Sequence, residues 1–358
     1  MIDVRTAPAA LSALPDGTTA AAIVRGRRRR ARRRAGVVGA LAIVIAAVFL
    51  VSLMIGNTFY GPVEVIRVIL GEQVTGASFT VGELRLPRAL LGLVAGVAFG
   101  MAGVTFQSLL RNPLASPDII GISSGASAAA VIGIVVLSLS ETAVSLLALG
   151  GALVTALAIW LLSHTNGFAG TRLILIGIGV AAMLDSVITY VLSRAAAWDL
   201  QVAMRWLTGS LNGADWQTLA PVIIAAVILI PVMIGQSRNL GVLRLGDDTA
   251  AGLGVALTRS RLLLIVAAVA LLAFATAATG PIAFVAFMAG PIAARLIGPA
   301  GSLLVPAGLV GALLVLSADL VGQFAFENRL PVGVVTGVLG APYLVYLLIR
   351  TNRSGGSL

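Results

Sequence analysis

The sequence predicts an all-α integral membrane protein with about ten transmembrane helices, and three observations support this fold class. Hydrophobic residues make up 59% of the 358 residues and charged residues only 11%, whereas soluble domains carry about 25% charged residues. Apolar runs of about 20 residues, enough to cross roughly 30 Å of hydrocarbon, recur along the whole chain. The charged residues fall mostly in the short segments between these runs. No room remains for a soluble domain.

The first 35 residues are expected to form a disordered, basic tail in the cytoplasm. Residues 1–24 show no periodicity, and the segment RGRRRRARRRAG that follows contains eight arginines. A basic cluster can bind nucleic acid, but one that directly precedes an apolar span is typical of the cytoplasmic end of a membrane helix. The second interpretation is preferred, and no nucleic-acid partner is expected.

Ten apolar runs define a transmembrane domain at residues 36–350, followed by a short cytoplasmic tail at residues 351–358. An even number of spans places both termini on one side of the membrane. With that side taken as the cytoplasm, 18 of the 24 arginines lie inside and six outside, in agreement with the positive-inside rule. A multi-pass protein of the cytoplasmic (inner) membrane with both termini inside is therefore expected. The runs lie near residues 37–56, 88–109, 117–138, 143–163, 172–193, 217–235, 260–279, 281–298, 302–322 and 331–349.

Glycines at helical spacing predict close contacts between helices. Gly92, Gly96 and Gly100 recur every four residues in the second span, and Gly333 and Gly337 repeat the spacing in the last. Small residues let helix backbones approach within lipid, where no hydrophobic drive brings helices together. A tightly packed bundle is expected.

The missing residue types exclude several kinds of chemistry. The chain contains no lysine and no cysteine, and His164 is its single histidine. A nucleotide-hydrolysing P-loop requires lysine, disulfides and iron–sulfur sites require cysteine, and one histidine poorly furnishes a transition-metal site. No catalytic residue, metal ligand or cofactor is expected in this chain, any ATP hydrolysis must occur in a partner, and His164 is expected in a solvated loop.

Arg85 and Arg88 stand on the outer side, where the positive-inside rule disfavours them. If the helix begins near Pro87, the two side chains share one face. Paired guanidinium groups suit bidentate recognition of carboxylates, but the same arginines would also snorkel to lipid headgroups. The pattern alone leaves both interpretations open.

Residues 239–261, NLGVLRLGDDTAAGLGVALTRSR, form the longest polar interruption between spans. Asp247 and Asp248 lie where acidic residues favour the start of a helix, and Gly252 and Gly254 interrupt the stretch. Connections between helices usually need about four to six residues. A longer one on the inner side predicts short helices that form a docking surface.

The segment RNPLASPDIIGISSGASAAA, which begins at Arg111, predicts a gate or pathway lining. Prolines end the second span, and the third opens with small polar residues. Irregular backbone at membrane depth is tolerated where protein or a water-filled cavity covers it. Those small residues are Gly121, Ser123, Ser124, Gly125 and Ser127.

Asp185 and Asp319 are the acidic residues placed deepest within predicted spans. Asp185 would suit a proton-coupled secondary transporter, whereas Asp319 lies near the outer end of its predicted helix. No span contains a lysine or histidine to form a relay, however, and a packing or helix-capping role is preferred.

Several segments together resemble the permease subunits of iron-siderophore and cobalamin ABC importers, the FecCD type. The similarity runs from about residue 60 to residue 350. It implies the type II importer fold, with two permease subunits around a central pathway, two cytoplasmic ATPases that bind ATP and magnesium, and an external substrate-binding protein. The segments are RLPRALLGLVAGVAFGMAGVTFQSLLRNPLASPDIIGISSGA, RLILIGIGVAAML, RLGDDTAAGLGV, GPIAFVAF, GALLVLSADL and LPVGVVTGVLGAPYLVYLL.

The resemblance also implies roles for individual residues. Arg85 and Arg88 would meet acidic residues of the binding protein, and residues 112–114 and the start of the fifth span would close the pathway on the cytoplasmic side. The gate residues are Asn112, Pro113, Leu114, Ser123, Ser124, Gly170 and Thr171. Those that dock the ATPase are Arg244, Gly246, Asp247, Asp248, Thr249, Leu253 and Gly254.

Two departures from the family pattern bear on partners. Residues 290–295 read GPIAAR where relatives often have a Pro-His-Ile-x-Arg element, and Gln323 stands where some relatives have a third outer arginine. Arg329 is a candidate to replace this third arginine, although it does not align with the family motif. Such asymmetry suits a heterodimer with a second, different permease. The resemblance implies import of a ferric siderophore without enzymatic activity in this chain, with cobalamin or haem as alternative cargo.

Overall fold

The computed structural model describes residues 17–118, 120–163, 170–298 and 301–353. Within these residues the chain is helical, without strands. The helices are α1 Gly17–Met54, α2 Pro62–Ile69, α3 Ala77–Phe79, α4 Leu86–Leu109, α5 Ile122–Val131, α6 Glu141–Ser163, α7 Gly170–Ser193, α8 Ala197–Leu207, α9 Trp216–Gly235, α10 Ser237–Leu243, α11 Asp247–Gly252, α12 Leu257–Thr279, α13 Val285–Ile297, α14 Leu304–Phe324 and α15 Val332–Arg353. Wider π-helical turns at Thr80–Arg85 and Ile132–Val136 join α3 to α4 and extend α5.

Eight helices in the described part of the chain are long and apolar enough to cross a membrane. All ten predicted runs contain helix, but the third and eighth are only the 15-residue Ile122–Val136 and the 13-residue Val285–Ile297. At 1.5 Å per residue they span about 20 Å, short of the roughly 30 Å of hydrocarbon. Left-handed residues delay both starts: Gly121 has φ +90° and Phe284 has φ +64°. The bundle therefore has eight full spans and two partial ones.

Helix α1 begins well before the predicted first span. It runs without interruption from Gly17 through the arginine cluster, so the expectation of disorder is corrected for residues 17–35. Arginine and alanine are good helix formers, and a helix that the apolar span already nucleates extends at little cost. Helix α15 likewise continues to Arg353, past the predicted domain end. His164 lies outside the described residues.

Helix α4 lies at the centre of the bundle, packed against α9, α12, α13 and α14. Its glycines allow these contacts, because a Cβ atom at Gly96 would lie 2.5 Å from Cα of Ala312, and one at Gly100 would overlap the carbonyl of Ala307. Gly333 likewise meets backbone of the segment before α9. The close-packing prediction is confirmed for these glycines. It is wrong for Gly337 within this chain, since no atom lies within 4 Å of a Cβ placed there.

Candidate functional site

An open cleft of about 350 Å³ lies at the end of the bundle that carries Arg85, which we name the outer end after the predicted orientation. All three arginines predicted to dock the binding protein line this cleft, although Arg329 is far from Arg85 and Arg88 in the sequence. Asp319 and Gln323 are among the polar residues that line it with them. The predicted arginines are therefore brought together in space.

Arg85 holds the end of α1. Its Nη1 donates to the carbonyl oxygens of Leu53 at 2.9 Å and Met54 at 3.0 Å, and its Nη2 donates to that of Thr58 at 2.7 Å. The guanidinium carbon also lies 5.1 Å from the centroid of the Tyr60 ring. A cation suits the last turn of a helix, where carbonyl groups lack helical partners. These backbone acceptors cannot be identified from the sequence.

Arg88 forms a two-pronged ion pair with Asp319 on α14. Its Nη2 and Nε lie 2.7 Å and 3.0 Å from the two carboxylate oxygens, and its Nη1 donates to Oδ1 of Asn212 at 2.7 Å. Gln323 donates a further bond of 2.6 Å to Asp319, which is only 4% exposed. Parallel bonds of this kind are among the strongest side-chain contacts. Asp319 thus joins α14 to α4, a packing role of the kind the sequence favours.

Arg85 and Arg88 line the same cleft, but the helix that carries them does not begin near Pro87. It begins at Ala77 and passes through the π-helical turn that ends at Arg85. Proline lacks the N–H for a bond to the preceding turn, and its ring crowds the carbonyl four residues earlier, which a wider turn accommodates. Within this helix Arg85 contacts the end of α1, whereas Arg88 contacts α14. The helix start predicted from sequence is corrected by about ten residues.

Arg329 is the cleft arginine with the fewest internal contacts. It is exposed, and its Nη2 donates one long bond of 3.3 Å to Oδ1 of Asn57. The residue lines the open cleft. Of the three arginines, Arg329 is therefore best placed to meet a carboxylate on another molecule.

Two short helices, α10 and α11, form the inner surface predicted for residues 239–261. Left-handed glycines flank α11, with φ +116° at Gly246 and +81° at Gly254, in line with the expectation of short helices separated by glycine. Leu245 and Leu253 are 65% and 63% exposed. Leu253 was predicted to dock and Leu245 was not; the predicted residues Arg244, Asp248 and Thr249 are exposed as well, whereas Gly246 and Asp247 are partly buried. This surface has the apolar and charged groups of a docking site.

Asp247 is half-buried and connects three helices. Its Oδ1 accepts 2.6 Å and 2.5 Å bonds from the Nη2 atoms of Arg261, on α12, and Arg111, after α4. Arg111 also donates to the carbonyl of Leu243, the last residue of α10. The bond from Arg261 and the second from Arg111 hold the pKa of Asp247 below its ordinary value, against the opposing effect of burial. Within the described chain Asp248 has no ion pair.

The predicted gate turn lies directly beside this connection. Oδ1 of Asn112 accepts from the backbone N–H of Leu114 at 2.9 Å, and the N–H of Asn112 donates to the carbonyl of Gln107 at 3.0 Å. The preceding Arg111 has a left-handed φ of +50°. The turn at residues 112–114, with Pro113 at its centre, is thus attached to the docking helices through one arginine.

The other predicted gate residues lie apart from this turn. Ser123 donates a 2.6 Å bond to Asp118 and is buried at 7% exposure, whereas Ser124 is partly exposed. Gly170 and Thr171 begin α7 at the bundle surface. Burial inside the chain leaves Ser123 away from any open surface, so a lining role stays a prediction for Ser124.

Helix α7 carries a polar row on an exposed, otherwise apolar span. An open groove of about 450 Å³ runs along it. Polar side chains within a membrane span are costly in lipid and usually face another chain or water. The row, which sequence analysis noted only through its acid, consists of Asp185, Ser186, Thr189, Tyr190 and Ser193.

A model of the FecCD transport family matches residues 43–350. The chain belongs to this family. The resemblance drawn from its motifs is therefore confirmed, and the match leaves out only the first part of α1 and the last three residues of α15 among the described helices.

Two relatives and one solved structure place the chain within the FecCD family and its fold. The ferric enterobactin transport system permease protein FepG of Escherichia coli (strain K12) is 44% identical over 294 residues, covering 81% of this chain and 88% of FepG. The iron(3+)-hydroxamate import system permease protein FhuG of Bacillus subtilis (strain 168) is 35% identical, covering 87% and 95%. A chain described as a metal-chelate type ABC transporter in an inward-facing conformation superposes with a TM-score of 0.79 at 24% identity, covering 88% of this chain and 99% of that one. The predicted resemblance to iron-siderophore permeases and the predicted permease fold are both confirmed.

The lowered pKa of Asp247 predicts a pH-dependent contribution to the stability of this FecCD protein. A carboxyl group whose pKa is lowered by folding stabilises the folded state at pH values above its ordinary pKa of 3.8. This stabilisation is lost as the pH falls through the lowered pKa. Wild type should therefore unfold at a higher temperature than Asp247→Asn at about pH 6, and the difference should shrink below about pH 4. The effect is small because the side chain is 44% exposed. Thermal unfolding in detergent measures it, with Asp248→Asn as the matched control; a pH-independent difference would contradict the pairing.

Proposed function

We propose that this chain is the membrane-spanning permease subunit of an ATP-driven importer that moves a ferric siderophore complex across the cytoplasmic membrane into the cell. The observation that carries the proposal is the 44% identity to FepG over most of both chains. FhuG, the hydroxamate permease, supports the wider substrate class. The chain itself contributes a path and contacts for partners, and it catalyses no reaction.

The partners follow from the exposed polar and apolar surfaces of the bundle. The polar row on α7 has to be shielded from lipid within the membrane, and a second, different permease would shield it. The transport pathway would lie between the two permeases. The exposed leucines of α10 and α11 would dock an ATPase, two of which would bind ATP and magnesium. The outer cleft, through Arg329 above all, would receive the acidic side chains of a binding protein.

The contacts around Asp247 suggest how this chain transmits ATPase motion. A displacement of α11 would move Asp247, and with it Arg111, which precedes the gate turn at residues 112–114. Arg261 would carry the same displacement into α12. Closure of the ATPases would thus reach the inner gate through two charge-assisted hydrogen bonds. Both termini would lie in the cytoplasm, as the arginine distribution favours.

Uptake of iron radiolabel tests this function in cells that lack the chain. The ferric complexes of a catecholate siderophore and of a hydroxamate siderophore carry the iron label, cobalamin carries a cobalt label in its place, and the three compounds are offered separately. Wild-type chain should restore uptake of a ferric complex and co-purify with an ATPase and a second permease. Leu253→Asp should abolish both ATPase recovery and uptake, because a charge replaces an apolar contact. Leu70→Asp, which changes a 74% exposed leucine at the outer end, is the matched control.

Two outcomes would overturn parts of the proposal. Uptake of cobalamin and of neither ferric complex would show that a siderophore is not the substrate, while the assignment as an importer permease would stand. Uptake that persists without any ATPase and collapses when the proton gradient is dissipated would identify a proton-coupled secondary transporter instead.

A further inference from the structure

The N-terminal part of α1 is a rigid, strongly basic extension of a membrane span. The apolar part, residues 37–54, holds 18 residues, and at 1.5 Å per residue it spans about 27 Å, close to the hydrocarbon thickness. On the side away from the outer end, the helix extends beyond this apolar part through the eight arginines without a break. We name them the arginine collar: Arg25, Arg27, Arg28, Arg29, Arg30, Arg32, Arg33 and Arg34.

The fold sets the depth of the collar. Nη2 of Arg34 donates to the carbonyl oxygen of Ser302, just before α14, and α1 packs along α14 through its apolar part. These contacts prevent the collar from sliding or swinging freely relative to the bundle. Since the headgroup layer is about 5–8 Å thick on each side, its arginines occupy different and defined depths.

The collar lacks counter-charge within the described part of the chain. Its other seven arginines are exposed, and the ion pairs found there involve Arg67, Arg88, Arg111 and Arg261 instead. Arginines four apart on one helix, such as Arg28 and Arg32, repel each other. Anionic groups brought to this helix would therefore be bound with favourable electrostatics.

We propose that the arginine collar binds the headgroups of anionic phospholipids in the adjoining leaflet and anchors the permease there. Guanidinium groups form paired hydrogen bonds with phosphate, and basic clusters next to a membrane helix attract anionic lipid. Arg30, Arg32 and Arg33 start about 6–11 Å outside the apolar span, within reach of the headgroups, whereas Arg25, Arg27 and Arg28 start about 13–18 Å outside. The nearer three therefore bind lipid, and the farther three contribute little. This inference does not depend on the substrate or on the direction of transport.

Two triple variants with equal loss of charge test the proposal in the full chain. The near variant carries Arg30→Gln, Arg32→Gln and Arg33→Gln, and the far variant carries Arg25→Gln, Arg27→Gln and Arg28→Gln. Each protein is reconstituted with spin-labelled phosphatidylglycerol or phosphatidylcholine, and electron paramagnetic resonance measures the immobilised lipid fraction. Wild type should prefer phosphatidylglycerol by about threefold or more at low salt, and less at high salt. The near variant should lose most of that preference and the far variant should keep it.

Thermal unfolding in neutral detergent, which should be alike in both variants, excludes a folding defect as the cause. Equal lipid preference in wild type and both variants would overturn the proposal. So would equal loss in both variants, because the depth would then be irrelevant. Loss of ATPase recovery in the far variant, with lipid preference unchanged in both, would identify the collar as a protein-docking surface instead.

Discussion

Arg88→Ala is expected to destabilise the folded chain by about 3 kcal/mol, because it leaves a buried carboxylate without its partner. The Asp319 side chain is 6% exposed and the Arg88 side chain 21%. The partial exposure of the arginine places the loss at the lower end of the range for buried pairs. Chemical unfolding in detergent micelles, followed by helical circular dichroism, measures it.

Arg67→Ala is the matched control, since Arg67 forms an equally short 2.6 Å pair with Glu72 whose side chains are 53% and 51% exposed. It should cost less than about 1 kcal/mol. The double variant Arg88→Ala with Asp319→Ala should lose less than the sum of the two single losses, since neither charge is left alone. If Arg88→Ala destabilised the chain as little as Arg67→Ala, the Arg88–Asp319 ion pair would not contribute to the stability of the folded bundle.

This ion pair changes how docking at the outer cleft is to be tested. Charge reversal of Arg85 or Arg88 removes contacts to α1 or α14 as well as any contact to a binding protein. A loss of docking in such variants would therefore not distinguish recognition from distortion of the cleft. Arg329, exposed and held by one long bond, lacks this ambiguity.

Gly100→Ala is expected to destabilise the chain by about 2–3 kcal/mol, because the added methyl group would overlap the carbonyl of Ala307 and force α4 and α14 apart. Neither helix can yield locally, since the obstacle is backbone. The same unfolding measurement applies, and the yield of folded monomer in mild detergent should fall with it.

Gly337→Ala is the control for this substitution, because Gly337 also lies in a span but has open space around its Cβ position. Alanine in a helix is favoured over glycine by about 0.5–1 kcal/mol, so this variant should be neutral or slightly stabilised. Equal destabilisation of both variants would show that close α4–α14 contact is not what requires Gly100.

The parts of the fold that hydropathy governs were predictable. Apolar runs locate the spans because every backbone polar group must be satisfied in lipid, which favours helices wherever the chain crosses. The short helices around Gly246 and Gly254 were likewise predicted, since glycine permits their left-handed turns. The expectation that the arginine cluster is disordered was wrong for its helical part. The helix of the first span continues through the cluster, and the high charge of the cluster gives no sign of it in the sequence.

The candidate sites were predictable as residue types and not as contacts. The sequence alone determined that the chain spans a membrane, that it lacks a P-loop, and that Arg85, Arg88 and Asp247 are unusual charges. Only the tertiary structure decided that Asp319, 231 residues from Arg88, is its partner, and that Arg111 connects Asp247 to the gate turn. Hydropathy and residue spacing are properties of consecutive residues, so they can be determined from the sequence alone. Ion pairs between helices depend on rotation and depth within the bundle, which packing around α4 sets.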